Sequence, residues 1–339
     1  MPAPKDILAD PEWLAHRYDE SRDEVRFRHV ARGRHGEVPF LTDACLGAAE
    51  QTIAVPMGEV VRHASAAPLR FVFHSAFCAS TLLARAFDNP GRSMGLSEPV
   101  ILNDVVGVRR RGARPADVAR LLDGAMRLLS RPFGAGEQVI VKPSNVVNPL
   151  AAAMLAIRPE TRAVILYAPL PVFLASVARK GLWCRLWARE LLEGLLTDGI
   201  VDLGMTPQDH FRQSDLQVAA VGWLAQHALF ARLAREHGPD RVRTLDSETF
   251  LSRPAEGLAA LTGHFGTTPS AGQFDGGAGS PAFTRHSKSG GEFSLQERAD
   301  QQRAARDAHA EEIETVVQWA GAVAQSARID LRLPHPAMP

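Results

Sequence analysis

Cysteine is scarce in this chain of 339 residues: Cys45, Cys78 and Cys184 are far apart and odd in number. That argues against a disulfide framework and for a reducing compartment. Nowhere do Cys and His fall at zinc-ligand spacing, so no metal is expected. Net charge is missing too, since Lys plus Arg and Asp plus Glu both count 38. A dedicated nucleic-acid binder is normally basic, so any anion site here should be local, and nucleic acid is not an expected partner. No apolar run approaches the ~18 residues of a bilayer span. The charge-dense start, MPAPKDILADPEWLAHRYDESRDEVRFRHV, has no apolar signal core. The expectation is a soluble cytoplasmic protein without membrane partners. What is present is apolar mass: 45% hydrophobic and 22% charged residues allow a substantial packed core.

Residues 1–65 read as an N-terminal extension. Asp10-Pro11-Glu12 suits a helix start, DEVRFRHV alternates like a strand, and RGRHGE resembles a polar turn. The alternation implies one buried face, packed on the main body at 66–339. From Pro68 the pattern turns to strand and helix in succession. LRFVF (69–73), EQVIVKPSN (137–145) and TRAVILY (161–167) are apolar strands. STLLARAF, PLAAAMLAI (149–157) and PVFLASVARKG (171–181) are the helices that follow them, and VARLLDGAMRLLS (118–130) is strongly amphipathic. Residues 240–266 read as strand, turn and helix, 268–283 as a Gly/Ser/Pro-rich loop, and Leu295 to about Ala327 as one long helix. Repeated strand-to-helix steps predict an α/β fold: three layers, with a central, mostly parallel sheet flanked by helices. Ligands of such sheets bind beyond the carboxyl ends of the strands.

The first of those ends reads FVFHSAFCASTLL, Phe71 to Leu83. A loop between strand and helix aims several backbone N–H groups and the positive end of a helix dipole at one spot. The Walker pattern of Gly, four residues, Gly, Lys and Ser or Thr fails here, with Ala79 and Ser80 at the second Gly and the Lys. Two readings stand side by side. Ser75, Ala76, Phe77, Cys78, Ala79, Ser80 and Thr81 cradle an anion, or the hydroxyls cap a helix and Cys78 fills a small pocket.

The stretch FCASTLL resembles the first nucleotide-binding loop of the sulfotransferase family, within the P-loop superfamily. SEPVILND (97–104) is similar to the Glu-Pro segment of that family. VIVKPSNVVNPLAAAMLAIRPETRAVILYAPLPVFLASVA is similar to its Lys-bearing strand end and later Ser segment, and RVRTLDSETFLSRPAEGLAALTGHFG to its late acidic segment. The order is kept over residues 66 to about 330. The resemblance implies a P-loop-type fold, an adenine nucleotide donor of the 3′-phosphoadenosine 5′-phosphosulfate type, and a small-molecule acceptor. It also shows departures: the family's basic loop residue falls at Phe77, the Arg for the 3′-phosphate at Tyr167, and the Ser one place late at Ser176.

Charge must then come from elsewhere. His74 ends the first strand and is either a general base or a hydrogen-bonded structural histidine. Lys142 ends the second strand, where burial demands an anionic partner, a ligand or Glu98. Glu98 is a candidate base or an ion-pair partner. Ser144 and Asn145 either donate to a ligand or form a turn beside Pro143. Arg285, His286 and Lys288 sit in a Gly-containing segment suited to closing on an anion. Trp183 and Trp187 share a helical face, read as packing or a lid. The leading reading is a sulfotransferase-like enzyme. The others are a nucleotide-dependent kinase, a binding or scaffold protein that kept the fold, and a cysteine hydrolase built on Cys78 and His74. Acceptor and oligomeric state have no readable signature.

Overall fold

The computed structural model describes residues 3–49, 51–267 and 295–339, the side chain of Leu295 excepted. Among these residues, eight strands form two sheets. β1 (Trp13–Asp19), β2 (Glu24–His29) and β3 (Thr52–Pro56) make an antiparallel sheet in that order. β4 (Leu69–His74), β5 (Ser93–Ser97), β6 (Gln138–Lys142), β7 (Arg162–Tyr167) and β8 (Val242–Asp246) make a parallel sheet ordered β5-β6-β4-β7-β8. The described residues thus form a three-layer α/β fold, with β4 at the centre of the parallel sheet.

Period-two alternation explains the three layers. Phe71, Phe73, Val139, Val141, Ala163 and Ile165 face one core, shared with the helices Ile101–Arg110 and Pro115–Leu129. Val72, Ile140, Val164 and Leu166 face a second core, shared with the helices Leu170–Arg179 and Pro254–Phe265 and the helix pair near the C-terminus. Strands buried on both faces read as unbroken apolar runs, as these do. The N-terminal residues join the first core: Arg131, 8% exposed, donates to the carbonyls of Ile7, Asp10 and Trp13 at 2.7–2.8 Å.

Three local expectations are corrected, and one strand is added to them. Asp10 and Pro11 lead into β1 rather than a helix, because Trp13, Leu14 and Ala15 bury in strand alternation against β2. RGRHGE is a helix, Arg32–Glu37, whose His35 is buried. The final helix is two, Leu295–Ala308 and Ala310–Ser326, parted at His309. β5, SMGLS, is a fully buried strand that propensity hides: Gly95 lies so near the next layer that a Cβ there would stand 2.2 Å from the Ala84 carbonyl oxygen.

No helix among the described residues is long and apolar enough to cross a membrane.

Candidate functional site

The parallel register brings the carboxyl ends of β4, β5 and β6 to one edge. Ser97 pairs with Lys142, and Glu98 N–H donates to the Lys142 carbonyl at 2.7 Å. Pro143 follows, and its carbonyl accepts from His74 Nε2 at 3.0 Å. His74 Nδ1 accepts from the Ala76 N–H at 3.1 Å. Both ring nitrogens of the buried His74 are therefore engaged, one carrying hydrogen toward β6 and the other ordering the loop. That geometry is the structural one of the two readings of His74.

From Ser75 to Ala79 the loop has an unusual backbone. Ala76 (φ 71°), Phe77 (φ 52°) and Ala79 (φ 62°) all occupy the left-handed region, which costs an L-residue roughly 1–2 kcal/mol and normally calls for glycine. The turn reverses the chain from β4 into the short helix Ser80–Ala86, whose Ser80 and Thr81 are buried. Ser75 anchors it: its N–H donates to the Leu166 carbonyl at 3.2 Å and its Oγ accepts from the Ala168 N–H at 3.0 Å. The consequence is a row of spare donors. Among the described residues, the N–H groups of Phe77, Cys78, Ala79, Thr81 and Leu82 meet no protein acceptor. A backbone held in this shape at such a cost is a common mark of functional loops.

Lys142 is fully buried, and its ammonium forms a close ion pair with Glu98 Oε1. The Phe40 ring, from the N-terminal residues, lies 5.2 Å from Nζ. Glu98 has φ 52° and a side chain 20% exposed, so the pair keeps one open side. His74 Nε2 stands 3.9 Å from the same carboxylate oxygen. Lys142, Glu98 and His74 are thus brought together, and the ion pair is neutral as a unit.

Cys78 is enclosed in this layer. Burial pushes its thiol pKa up, while hydrogen bonds from Ser80 and the charge of Lys142 work against the shift. A raised thiol pKa disfavours the thiolate a cysteine hydrolase needs, and neither nitrogen of His74 is aimed at it.

The remaining expected residues scatter. Asn145 is buried at the start of the 3₁₀ turn Asn145–Leu150, its Nδ2 without a partner among the described residues, and Ser144 precedes it without a side-chain cap. Phe77 turns away from the amides: its ring meets Phe173 at 5.7 Å and Trp187 at 5.4 Å, with Lys180 Nζ 5.8 Å from its centroid. Trp183 is 67% exposed, and Leu182 and Leu186 beside it are exposed as well. Ser176 is committed inside the fold, donating to the Val172 carbonyl and accepting from Gln302 Nε2 at 2.7 Å. Tyr167 packs edge-on to His227 at 5.4 Å; burial, with Asp246 nearby, pushes its hydroxyl pKa up to about 12. Arg285, His286 and Lys288 lie outside the described residues.

Two residues not singled out in the sequence complete the site. Asn148 Nδ2 donates to the His74 carbonyl and to Gln226 Oε1, both at 2.9 Å, and its buried Oδ1 has no partner among the described residues. Gln226, wholly buried on a long helix, is the available signal: a Gln-His pair inside QVAAVGWLAQHALFARL interrupts an otherwise apolar face.

Neither family models nor curated protein sequences match the chain. Among solved structures it is similar to the sulfotransferase domain from the curacin biosynthetic pathway, at 13% identity over 79% of this chain and 100% of that one, TM-score 0.45. It is similar too to the sulfotransferase domain of the Synechococcus PCC 7002 olefin synthase, at 14% identity over 66% and 81%, TM-score 0.42. A third is a sulfotransferase from Alicyclobacillus acidocaldarius, at 18% identity over 60% and 83%, TM-score 0.39. Identities and TM-scores of this size leave the reading of the site to its own geometry.

Proposed function

We propose that the chain is a sulfotransferase-like protein. In this reading it binds an adenine nucleotide donor of the 3′-phosphoadenosine 5′-phosphosulfate type and passes the sulfuryl group to a hydroxyl or amine of a small acceptor. One observation carries the proposal: five amides without an acceptor among the described residues, on a strained loop at the end of the central strand, beside the Lys142–Glu98 pair. Amides held in that way receive the oxygens of a phosphate or sulfate group without reorganising.

When bound, the donor supplies the sulfur electrophile and a phosphate leaving group. The chain's part is positioning and charge. The loop amides hold the oxygens in line, and the Lys142 ammonium answers charge that builds on the leaving oxygen. Glu98, through its exposed side, takes the acceptor's proton. His74 holds loop and β6 together and is a positioning residue. Exposed Leu182, Trp183 and Leu186 continue the apolar lip formed by Phe77 and Trp187, where the acceptor's carbon skeleton rests.

A second reading is favoured by Tyr167 and Ser176, which offer a 3′-phosphate neither a cation nor a free hydroxyl. It is a nucleotide-binding protein that does not use the phosphosulfate. Calorimetric titration with 3′-phosphoadenosine 5′-phosphate in EDTA, beside ATP with Mg²⁺, separates the two. One-to-one binding of the first without metal supports sulfuryl transfer, binding of ATP alone supports the second reading, and no heat from either overturns both.

A further inference from the structure

At the amino ends of β7 and β8 lies a groove of about 320 Å³ whose lining includes Arg162, Arg243, His264, Asp240, Gly263 and Ala337. β7 is six residues long, so at ~3.3 Å per residue this groove sits roughly 17 Å along the strands from the loop after β4. It is a different place from the site described above.

Its charge is unusual for this molecule. Most arginines here reach carboxylates, as Arg17, Arg32, Arg110, Arg120 and Arg158 do. Those around the groove reach carbonyls. Arg162 Nη1 donates to the His264 carbonyl at 2.7 Å, Arg243 Nε to the Pro239 carbonyl at 2.8 Å, and Arg70 Nε to the Phe265 carbonyl at 2.8 Å. Among the described residues none of the three forms an ion pair with an acid. Arg70 is moreover the register partner of Arg162 across β4 and β7, and like charges placed opposite each other destabilise a sheet. Two of the bonds cap the last carbonyls of the helix Pro254–Phe265, where a cation suits the dipole. Each capping contact uses one of five guanidinium N–H groups; Arg70 also donates Nη1 to the Leu69 carbonyl at 2.9 Å and feels the charge of Glu160, whereas Arg162 and Arg243 form no ion pair with an acid among the described residues. His264 shares the surroundings: its Nε2 is bonded to the Ala163 carbonyl at 3.0 Å, and burial, then the three arginines, hold its pKa down to about 4. Asp240 is the one acid in the lining.

We propose that this groove is a second anion site, in which the guanidinium groups of Arg162 and Arg243 clasp a phosphate or sulfate group. Guanidinium forks fit such tetrahedral oxyanions in paired hydrogen bonds. The group is either a free oxyanion or the ester of a small organic molecule. This inference does not depend on the transferase reading.

Titrating the full chain, ¹⁵N-labelled, with inorganic phosphate at low ionic strength tests it. The amides of Arg243, Gly263 and His264 are expected to shift together, and Arg162→Gln/Arg243→Gln to weaken that response by about ten- to hundredfold, the loss of one or two charge-assisted bonds. Arg243→Gln alone serves if the double variant folds poorly, since Arg243 is partly exposed and its bond runs to a neighbouring turn. Lys142→Met should leave the groove response unchanged. Adenosine monophosphate is the second arm: tighter binding at the same amides identifies an ester, weaker binding a free oxyanion. Groove amides that stay still with both probes, or shift equally in the arginine variants, overturn the proposal.

Discussion

Replacing Ala79 by glycine isolates the loop's backbone from its side chains. Ala79 sits at φ 62°, so its native conformation carries roughly 1–2 kcal/mol that glycine does not pay. Glycine in turn loses about 0.5–1 kcal/mol more chain entropy on folding. The methyl group is half-buried against the second core, and removing it forfeits about 0.4 kcal/mol, half the value of a buried CH₂. These terms leave a net stabilisation of about 0.4 kcal/mol. The same balance holds for Ala76, at φ 71°. Ala153 is the control: it is exposed within the helix Ala151–Ile157, where glycine costs about 1 kcal/mol. Urea unfolding of Ala79→Gly, Ala76→Gly and Ala153→Gly, with m-values compared, measures the difference. Loop variants equal to or slightly above wild type, with Ala153→Gly about 1 kcal/mol below, are the expected outcome. If Ala79→Gly and Ala76→Gly lose as much as Ala153→Gly, the loop is not strained and the reasoning fails.

Two further perturbations address buried charge. Glu98→Gln should cost about 3–5 kcal/mol because it strands a fully buried ammonium. Lys142→Met should cost less, about 2–3 kcal/mol, since the carboxylate it strands is partly exposed. The double variant should recover about 2 kcal/mol of the summed loss in a denaturation cycle, and simple additivity would contradict the pairing. His35 and His227, each buried, have pKa values lowered to about 4 by burial, below the usual 6.5. Their neutral forms favour the native state, so their contribution is complete above pH 6.5 and lost progressively as pH falls toward 4. Each accounts for on the order of 3 kcal/mol. Stability profiles of His35→Phe and His227→Phe should be flatter across that window, and an unchanged slope would refute it.

The sheet's core was legible because strands buried on both faces leave unbroken apolar runs. LRFVF and TRAVILY became β4 and β7 to within a residue, and EQVIVKPSN (137–145) holds β6, which stops at Lys142. SMGLS left no such trace, since a strand chosen for closeness to its neighbouring layer uses Gly and Ser where others use Val and Ile. Residues 32–37 read as a turn because RGRHGE is polar, yet one buried ring, His35, set edge-on to Phe133 at 5.0 Å, belongs to a helix. At the site, the strand ends pointed to His74, Glu98 and Lys142, which do converge. Sequence spacing cannot tell which nitrogen of a histidine is already occupied, and both of His74's are. Nor can it show that alanines and a phenylalanine hold the backbone shape that glycine would make easy. Asn148 and Gln226 escaped notice because each lies within a segment whose apolar neighbours explain its helicity without them.

The central claim is that the turn after β4 is a cradle of main-chain donors. Amide-resolved NMR of the full chain during titration with 3′-phosphoadenosine 5′-phosphate, in EDTA, tests it most directly. Concerted downfield shifts of the Phe77, Cys78, Ala79, Thr81 and Leu82 amides are expected, saturating together. Those five resonances standing still while the nucleotide moves others, or moves none, would contradict it.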